Sequence, residues 1–427
     1  MNMTEMTQTM SQAQTFTSGL TRLVNASPLD KKVNDAVASL ENLNFPTSRV
    51  EAWKYTRLGK ITNQTYQTST ALVGTKFTKI AELDAYYLVF INGVYDSNQS
   101  DSIIEAGVTV EVLSEDVCTL AGTKFSTIAN NEEIFTAING AFLSNGVALH
   151  VAKNTKVSKP IVIVNKSTDG NYLTNFRNIF AIETSAQAHV IQLFESDSAS
   201  TGLTNVVSEI WAEQNANFNY DKWQNEAGTH NHVSRDICEQ AKDAVITTNT
   251  ITTGGLLTRN DLLIQVNGEN CETHLNGLYI GKNKQHIDNH TTVDHKVPHC
   301  ESHELYKGIV DDQSTAVFNG KVFVRPDAQK TNAFQQNANI VMTDEATINS
   351  KPELEIYADD VKCSHGSVTG QFDEDALFYL RARGIGEESA RNLLVHAFAS
   401  DVLNKLSIVP LKETIESFIT NNYSWGK

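Results

Sequence analysis

No window of this chain approaches the ~18 consecutive apolar residues that a bilayer-spanning helix needs, so no such helix is expected. Cysteine is scarce. The five in 427 residues are Cys118, Cys238, Cys271, Cys300 and Cys363, an odd and scattered set without a CxxC pair. That excludes a disulfide framework and favours a reducing compartment. Basic charge is short as well: 34 Lys and Arg stand against 50 Asp and Glu, a net charge of −16. Nucleic acid and anionic membranes both require basic patches, so neither is expected as the main partner. The stretch Met1–Glu5 has neither a basic region nor an apolar run, and no secretion signal is expected there. Nucleotide and hydrolase motifs are missing too. There is no Walker A sequence, no GxSxG and no GxGxxG followed by an acidic residue, and Gly254-Gly255 precedes no lysine.

What remains is a globular, cytoplasmic type of composition, 40% hydrophobic and 20% charged, long enough for about two or three parts. The N-terminal part reads as helical and mixed. Phe16, Leu20 and Leu23 have helical spacing. Ser27 is placed to cap a helix, Pro28 suits its first position, and Leu29, Val33, Ala36, Val37 and Leu40 mark its apolar face until Pro46. The segment from Arg49 to Thr56 sets Trp53 and Tyr55 either side of Lys54, which reads as a packing anchor or as a partner-binding loop. Tyr86–Ile91, Asn92-Gly93 and Val94-Tyr95 spell a hairpin. Residues 131–149 look helical again, with Ile134, Phe135, Ile138, Ala141 and Phe142.

From about Val147 to Val368 the chain is a series of short strands, such as Ile161–Val164, His189–Phe194, Asp261–Val266 and Thr315–Val324, separated by turns rich in Asn, Gly, Asp and Thr. Strands repeated over 200 residues with no helices between them favour stacked coils over a sandwich. The expected fold is a mainly β protein with helical ends, its core a right-handed parallel β-helix. The expected division is 1–146 (helical and mixed), 147–370 (β-helix) and 371–427 (helical). A solenoid needs caps, and the terminal helices would supply them. After Gly370, Asp373 reads as an N-cap with Glu374 and Asp375 in the first turn, Gly384 as a stop, and Gly386 as the entry to a second helix. Ala390, Leu393, Leu394, Ala397, Phe398 and Val402 form its stripe, and residues 411–420 suit a third helix. That stripe packs either on the solenoid's end or on a partner.

Two constellations carry chemistry. The stretch Glu355–Gly366 reads as one strand in which Cys363 and His365 share a face, pairing a thiol with an imidazole suited to a soft metal. The competing reading is a buried, inert cysteine and a satisfied histidine. The second is His286, His290, His295, His299, Cys300 and His303, of which His299, Cys300 and His303 are the closest to a metal spacing; without a paired motif, solvated turns or a polar subunit surface suit it better. Asp311-Asp312 and Asp359-Asp360 leave a β-helix polysaccharide-acting enzyme as a reading from another class, but adjacent strand residues face opposite ways and neither pair makes an acid–base couple.

Four stretches, Ala316–Gly320, Lys330–Ala333, Pro352–Gly366 and Phe378–Ile385, together resemble the SufB/SufD family of iron–sulfur cluster scaffold proteins. The resemblance is strongest over about residues 300–406. The segment from Arg49 to Thr56 and the absence of a cysteine-containing N-terminal extension place it nearer the SufD branch than the SufB-type scaffold that carries the cluster itself. It implies a β-helix between helical ends and a non-catalytic scaffold subunit. It implies pairing with a SufB-like subunit through the β-helix and with a SufC-like ATPase through residues 373–427, the partner hydrolysing ATP. It implies that His365, with Cys363, takes part in forming a nascent cluster shared across the subunit seam, no cofactor being held tightly by this chain alone. A face shaped for a homologous partner would also pair with its own copy.

Overall fold

The computed structural model describes residues 12–21, 29–113 and 119–423. The expected cap at Ser27-Pro28 lies outside the described residues, as does Cys118. In chain order, α1 (Gln12–Thr17), α2 (Asp30–Ser39) and α3 (Gly59–Thr62) lead to β1 (Tyr86–Ile91), β2 (Val94–Tyr95), β3 (Val108–Val112), α4 (Thr119–Lys124) and α5 (Ile134–Ala141). A run of strands follows: β4 (Asn145–Val151), β5 (Ile161–Ser167), β6 (Leu173–Ile182), β7 (Gln187–Ser196), β8 (Leu203–Ala212), β9 (Asn217–Asn225), β10 (Asn231–Gln240), β11 (Val245–Thr252), β12 (Leu257–Val266), β13 (Glu272–Gly281), β14 (His286–His295), β15 (Glu301–Val310), β16 (Thr315–Val324), β17 (Asn332–Val341), β18 (Thr347–Ile356) and β19 (Lys362–Gln371). Three helices, α6 (Glu374–Ala382), α7 (Glu387–Leu403) and α8 (Val409–Asn422), end the described chain.

Even strands from β4 to β18 stack in parallel in one sheet and odd strands from β5 to β19 in the other, so each coil gives one strand to each sheet. The result is the expected parallel β-solenoid, about eight turns long. Register partners lie one coil apart, as Val245 with Glu272 and Glu301 with Asn332.

The turns explain the Asn-rich composition. One corner repeats a left-handed residue in every coil but the last: Asn154, Ser185, Asn215, Asp243, Asn270, His299 and Lys330, with φ between 57° and 64°. Asn and Asp tolerate that conformation best among residues with a side chain. Its geometry turns the backbone N–H toward the next coil: Ser185 donates to Gln214 O, Asn215 to Lys242 O and His299 to Gln329 O, each at 2.9 Å. The hairpin is as expected, Asn92 and Gly93 both having positive φ. Residues 131–149 are helical only over α5; from Asn145 the chain is already strand β4, drawn into the sheet by its pairing with β6.

The two ends of the solenoid differ. At the first, β2 runs antiparallel on β1 and β3 antiparallel on β4, which ends parallel propagation. At the other, β18 and β19 each pair on one side only. The expectation that helices cap both ends is therefore corrected. Helix α5 lies along the flank of β6 and β8, where Asn139 Nδ2 donates to Phe176 O and Asn205 O, both at 3.0 Å. Helix α7 lies over β13 and β15, where Lys307 Nζ donates to Phe398 O at 3.1 Å. Apolar outer rows such as Leu278, Ile280 and Ile309 draw the C-terminal helices onto the flank, since burying such rows is worth about 25 cal/mol per Å². The α7 stripe is also rephased: Ala390, Val395, Ala399 and Val402 are buried, while Leu393 and Ala397 face outward.

The segment around Trp53 is a packing anchor. Trp53 is buried and stacks on Phe135, and the Arg259 guanidinium sits 3.9 Å from its ring centre. Arg259 also donates to Ala52 O (2.7 Å) and pairs with Asp288 (2.6 Å) and Asp261 (2.8 Å). Tyr55 remains exposed.

Candidate functional site at the open coil

The stretch expected as one strand is two. β18 ends at Ile356, the chain turns a corner through Tyr357–Val361, and β19 starts at Lys362. The corner is the solenoid's own, held by Lys330 N donating to Asp360 O. Cys363 and His365 still share a parity, both on β19. The row they occupy points toward the bore. Cys363 packs with Val322, Val324, Ala328 and Ala333, Ser367 meets Ser350, and Thr369 meets Asn339. Because β19 is the last rung of its sheet, this row lies at the mouth. His365 is exposed; Cys363 is half-buried, and burial pushes its thiol up. The outer row of the same strand carries Val368, 67% exposed.

Behind His365 the bore is polar. In register beneath it lies buried Gln335, which donates through Nε2 to Glu304 Oε2 at 2.6 Å and whose Oε1 has no partner among the described residues. Glu304 accepts also from Thr291 Oγ1. Among the described residues no cation pairs with this carboxyl, and burial raises it from 4.5 to about 7. Its folded value is higher than its unfolded one, so its contribution to stability is complete below pH 4.5 and is lost as pH rises through 7. Glu304→Gln keeps the shape and cannot ionise. The variant is expected to match the wild type in urea unfolding at pH 4.5 and to exceed it by about 1–3 kcal/mol at pH 8.

The histidine-rich stretch is divided among faces. His286 and His290 point outward and serve the Trp53 anchor: His286 Nε2 is 2.8 Å from Thr56 Oγ1, and His290 Nε2 2.9 Å from Asp288 Oδ1. His295 points inward and is fully buried. His299 takes the exposed left-handed corner, and His303 lies on the outer sheet face, stacked between His274 and Phe334. Cys300 is buried at an inner corner. His299, Cys300 and His303 thus point three ways. Among the described residues no group of three His, Cys, Asp or Glu side chains is arranged to hold a metal ion. Cys363 and His365 alone leave a tetrahedral centre half complete.

Asp373 caps α6 as expected, its carboxylate accepting from Ala376 N at 2.8 Å, and Gly384 ends that helix region with φ of 87°. The helices expose Phe378 (74%), Tyr379 and Leu393. No helix among the described residues is long and apolar enough to cross a membrane.

Known proteins share this pattern. Residues 163–398 match the family model of the SUF system FeS cluster assembly, SufBD core domain, and residues 9–163 that of the SufBD protein N-terminal region. The iron-sulfur cluster assembly protein SufD of Escherichia coli is 30% identical over 377 residues, 87% of this chain and 88% of its own. An iron-sulfur cluster assembly SufBD family protein of Synechocystis is 29% identical over 422 residues, 92% and 91% of the two chains. The iron-sulfur cluster assembly protein SufD of Bacillus subtilis is 27% identical over 294 residues, 68% and 67%.

Proposed function

Because this chain belongs to the SufBD family of the SUF iron–sulfur cluster assembly system, we propose that it is a SufD-type, non-catalytic scaffold subunit. It acts in the cytoplasm, pairs end-on with a SufB-like subunit and docks a SufC-like ATPase on its C-terminal helices. The observation that carries this reading is the open last coil. Strands β18 and β19 offer unpaired backbone groups, which favour addition of another chain's strands. The same rung carries Cys363 and His365.

The cluster is cargo in this scheme. His365 supplies an imidazole nitrogen and Cys363 a sulfur at the seam; the partner supplies the remaining ligands. Burial holds the Cys363 proton, so engaging iron displaces it, and binding releases a proton there. Since the chain has no nucleotide motif, ATP acts from the partner and alters the seam by moving the helices that flank β13 and β15. Alone, the chain pairs with its own copy through the same rung.

Co-purification with SufB-like and SufC-like subunits, followed by anaerobic iron and sulfide analysis, tests the whole reading. A chain that captures neither subunit overturns it. The docking face has its own test. Phe378→Asp with Tyr379→Asp is expected to abolish co-purification with the ATPase while unfolding stability stays within about 0.5 kcal/mol, as befits exposed positions. Unchanged ATPase capture would remove α6 from the interface.

A further inference from the structure

Outside the open coil, one buried pair of thiols has no role in the scaffold reading. The inner corner preceding the odd strands is a column of small residues, Ala186, Ala216, Ala244, Cys271, Cys300 and Thr331, one per coil. Alanine suffices in three consecutive coils, yet the next two carry thiols. Cys271 and Cys300 are 1% and 0% exposed. They stand directly above one another: Glu272 pairs with Glu301, and Glu301 N donates to Cys271 O at 2.9 Å. Parallel neighbours lie about 4.8 Å apart, inside the Cα separation that a disulfide spans.

Both sulfurs address the Gly268 carbonyl, Cys271 at 3.0 Å and Cys300 at 3.3 Å. The neighbouring Cys271 thiol, helped by His295, pulls Cys300 down to about 5, and Cys300 in turn pushes Cys271 up, so Cys300 is the sulfur that gives up its proton first. His295 is fully buried. Its Nε2 is 2.9 Å from Ser302 Oγ, and its Nδ1 has no hydrogen-bond partner among the described residues. Two thiols and one imidazole do not converge as a metal set.

We infer that Cys271 and Cys300 form a dithiol centre inside the solenoid, positioned by His295, which a hydroperoxide oxidises reversibly to an inter-coil disulfide. With hydrogen peroxide, Cys300 sulfur gives up its proton and attacks one oxygen; the S–O bond forms, the O–O bond breaks, and the departing hydroxide takes that proton and leaves as water. Cys271 sulfur then attacks the sulfenic sulfur. The S–S bond forms, the S–O bond breaks, and hydroxide leaves with the Cys271 proton as a second water. The two thiols lose two electrons and the peroxide gains them. Peroxide is small and uncharged, which suits a buried target. The cross-link ties β13 to β15, two coils short of the open mouth. This holds whether or not the chain assembles clusters.

The test uses the full chain, reduced and purified without air, titrated with hydrogen peroxide, alkylated under denaturing conditions and digested for mass spectrometry. A peptide joining Cys271 to Cys300, formed before Cys238 reacts and removed by dithiothreitol, is expected. In Cys271→Ser, Cys300 is expected to stop at a sulfenic acid that dimedone traps. His295→Gln is expected to slow cross-linking about tenfold, with the far-ultraviolet circular dichroism unchanged. If both thiols remain alkylatable after Cys363 has been oxidised, or if Cys300 cross-links only between molecules, the inference is wrong. So it is if copper(I) or zinc binds the reduced pair stoichiometrically and blocks oxidation.

Discussion

Glu209→Ala is expected to destabilise the protein by about 3–5 kcal/mol, more than any other single carboxylate removal here. Glu209 is fully buried on β8. Its carboxylate accepts from four consecutive backbone N–H groups, those of Ser126 (2.7 Å), Thr127 (2.9 Å), Ile128 (2.9 Å) and Ala129 (3.1 Å). Arg177, also fully buried, pairs with it at 3.0 Å and reaches Asn139 and Ser126 as well. Alanine would leave a guanidinium without its counter-charge and four donors without an acceptor. Each loss is costly where water is absent. The readout is the midpoint of urea unfolding followed by circular dichroism. A double variant, Glu209→Leu with Arg177→Met, separates the two contributions. It removes the ion pair but not the orphaned N–H groups, so it should recover only part of the loss. A single variant within about 1 kcal/mol of wild type would show that the 126–129 segment detaches without consequence for the coils.

How much of this was legible in the sequence depended on which face of a strand was apolar. Strands β5 to β8 bury Ile163, Phe176, Phe180, Phe194 and Val206, and their apolar runs mark them. Strands β9 and β10 do not read as strands over their full length. The inner row there is Tyr220, Lys222, Ser234 and Asp236, satisfied by one another: Lys222 Nζ pairs with Asp236, and Tyr220 Oη donates to Gln192 Oε1. A hydrophobic alternation cannot report a polar bore. The coil period was hidden for a similar reason. Register partners are separated by varying intervals and share a corner conformation rather than a residue type, so Asn215 and His299 are equivalent without looking alike. Cys271 and Cys300 are neighbours only once that period is known. Helix caps, by contrast, are local, and Asp373 and Gly384 were readable as such. The phase of α7 was not, since its apolar residues cover more of the circumference than one sheet face can bury. The Cys363–His365 parity survived although the strand boundary did not, because both residues fall after the corner.

His365→Ala is expected to abolish cluster formation in the assembled complex and to leave the fold of the chain intact. The two halves of this expectation come from different observations. The side chain is exposed on the terminal rung, so its removal creates no cavity, and stability should stay within about 0.5 kcal/mol of wild type. On the scaffold reading, however, the seam has only one imidazole and one thiol from this chain, and losing a ligand from an already incomplete set has no local substitute. Neighbouring side chains of the same row, Ser367 and Thr369, are engaged with Ser350 and Asn339 and carry hydroxyls, which are poor ligands for iron in a sulfide-rich centre. The imidazole of His303, on the outer face and stacked against Phe334, points away from the bore. Cys363→Ser should therefore weaken assembly as well, but less completely, because that thiol is half-buried and holds its proton. The measurement is iron and sulfide per complex after anaerobic assembly with the partner subunits, alongside the visible absorption of the cluster and the circular dichroism of the isolated variant. Wild-type iron and sulfide in a folded His365→Ala complex would move the site off this rung, while leaving the end-on pairing of the open coil to stand on its own test.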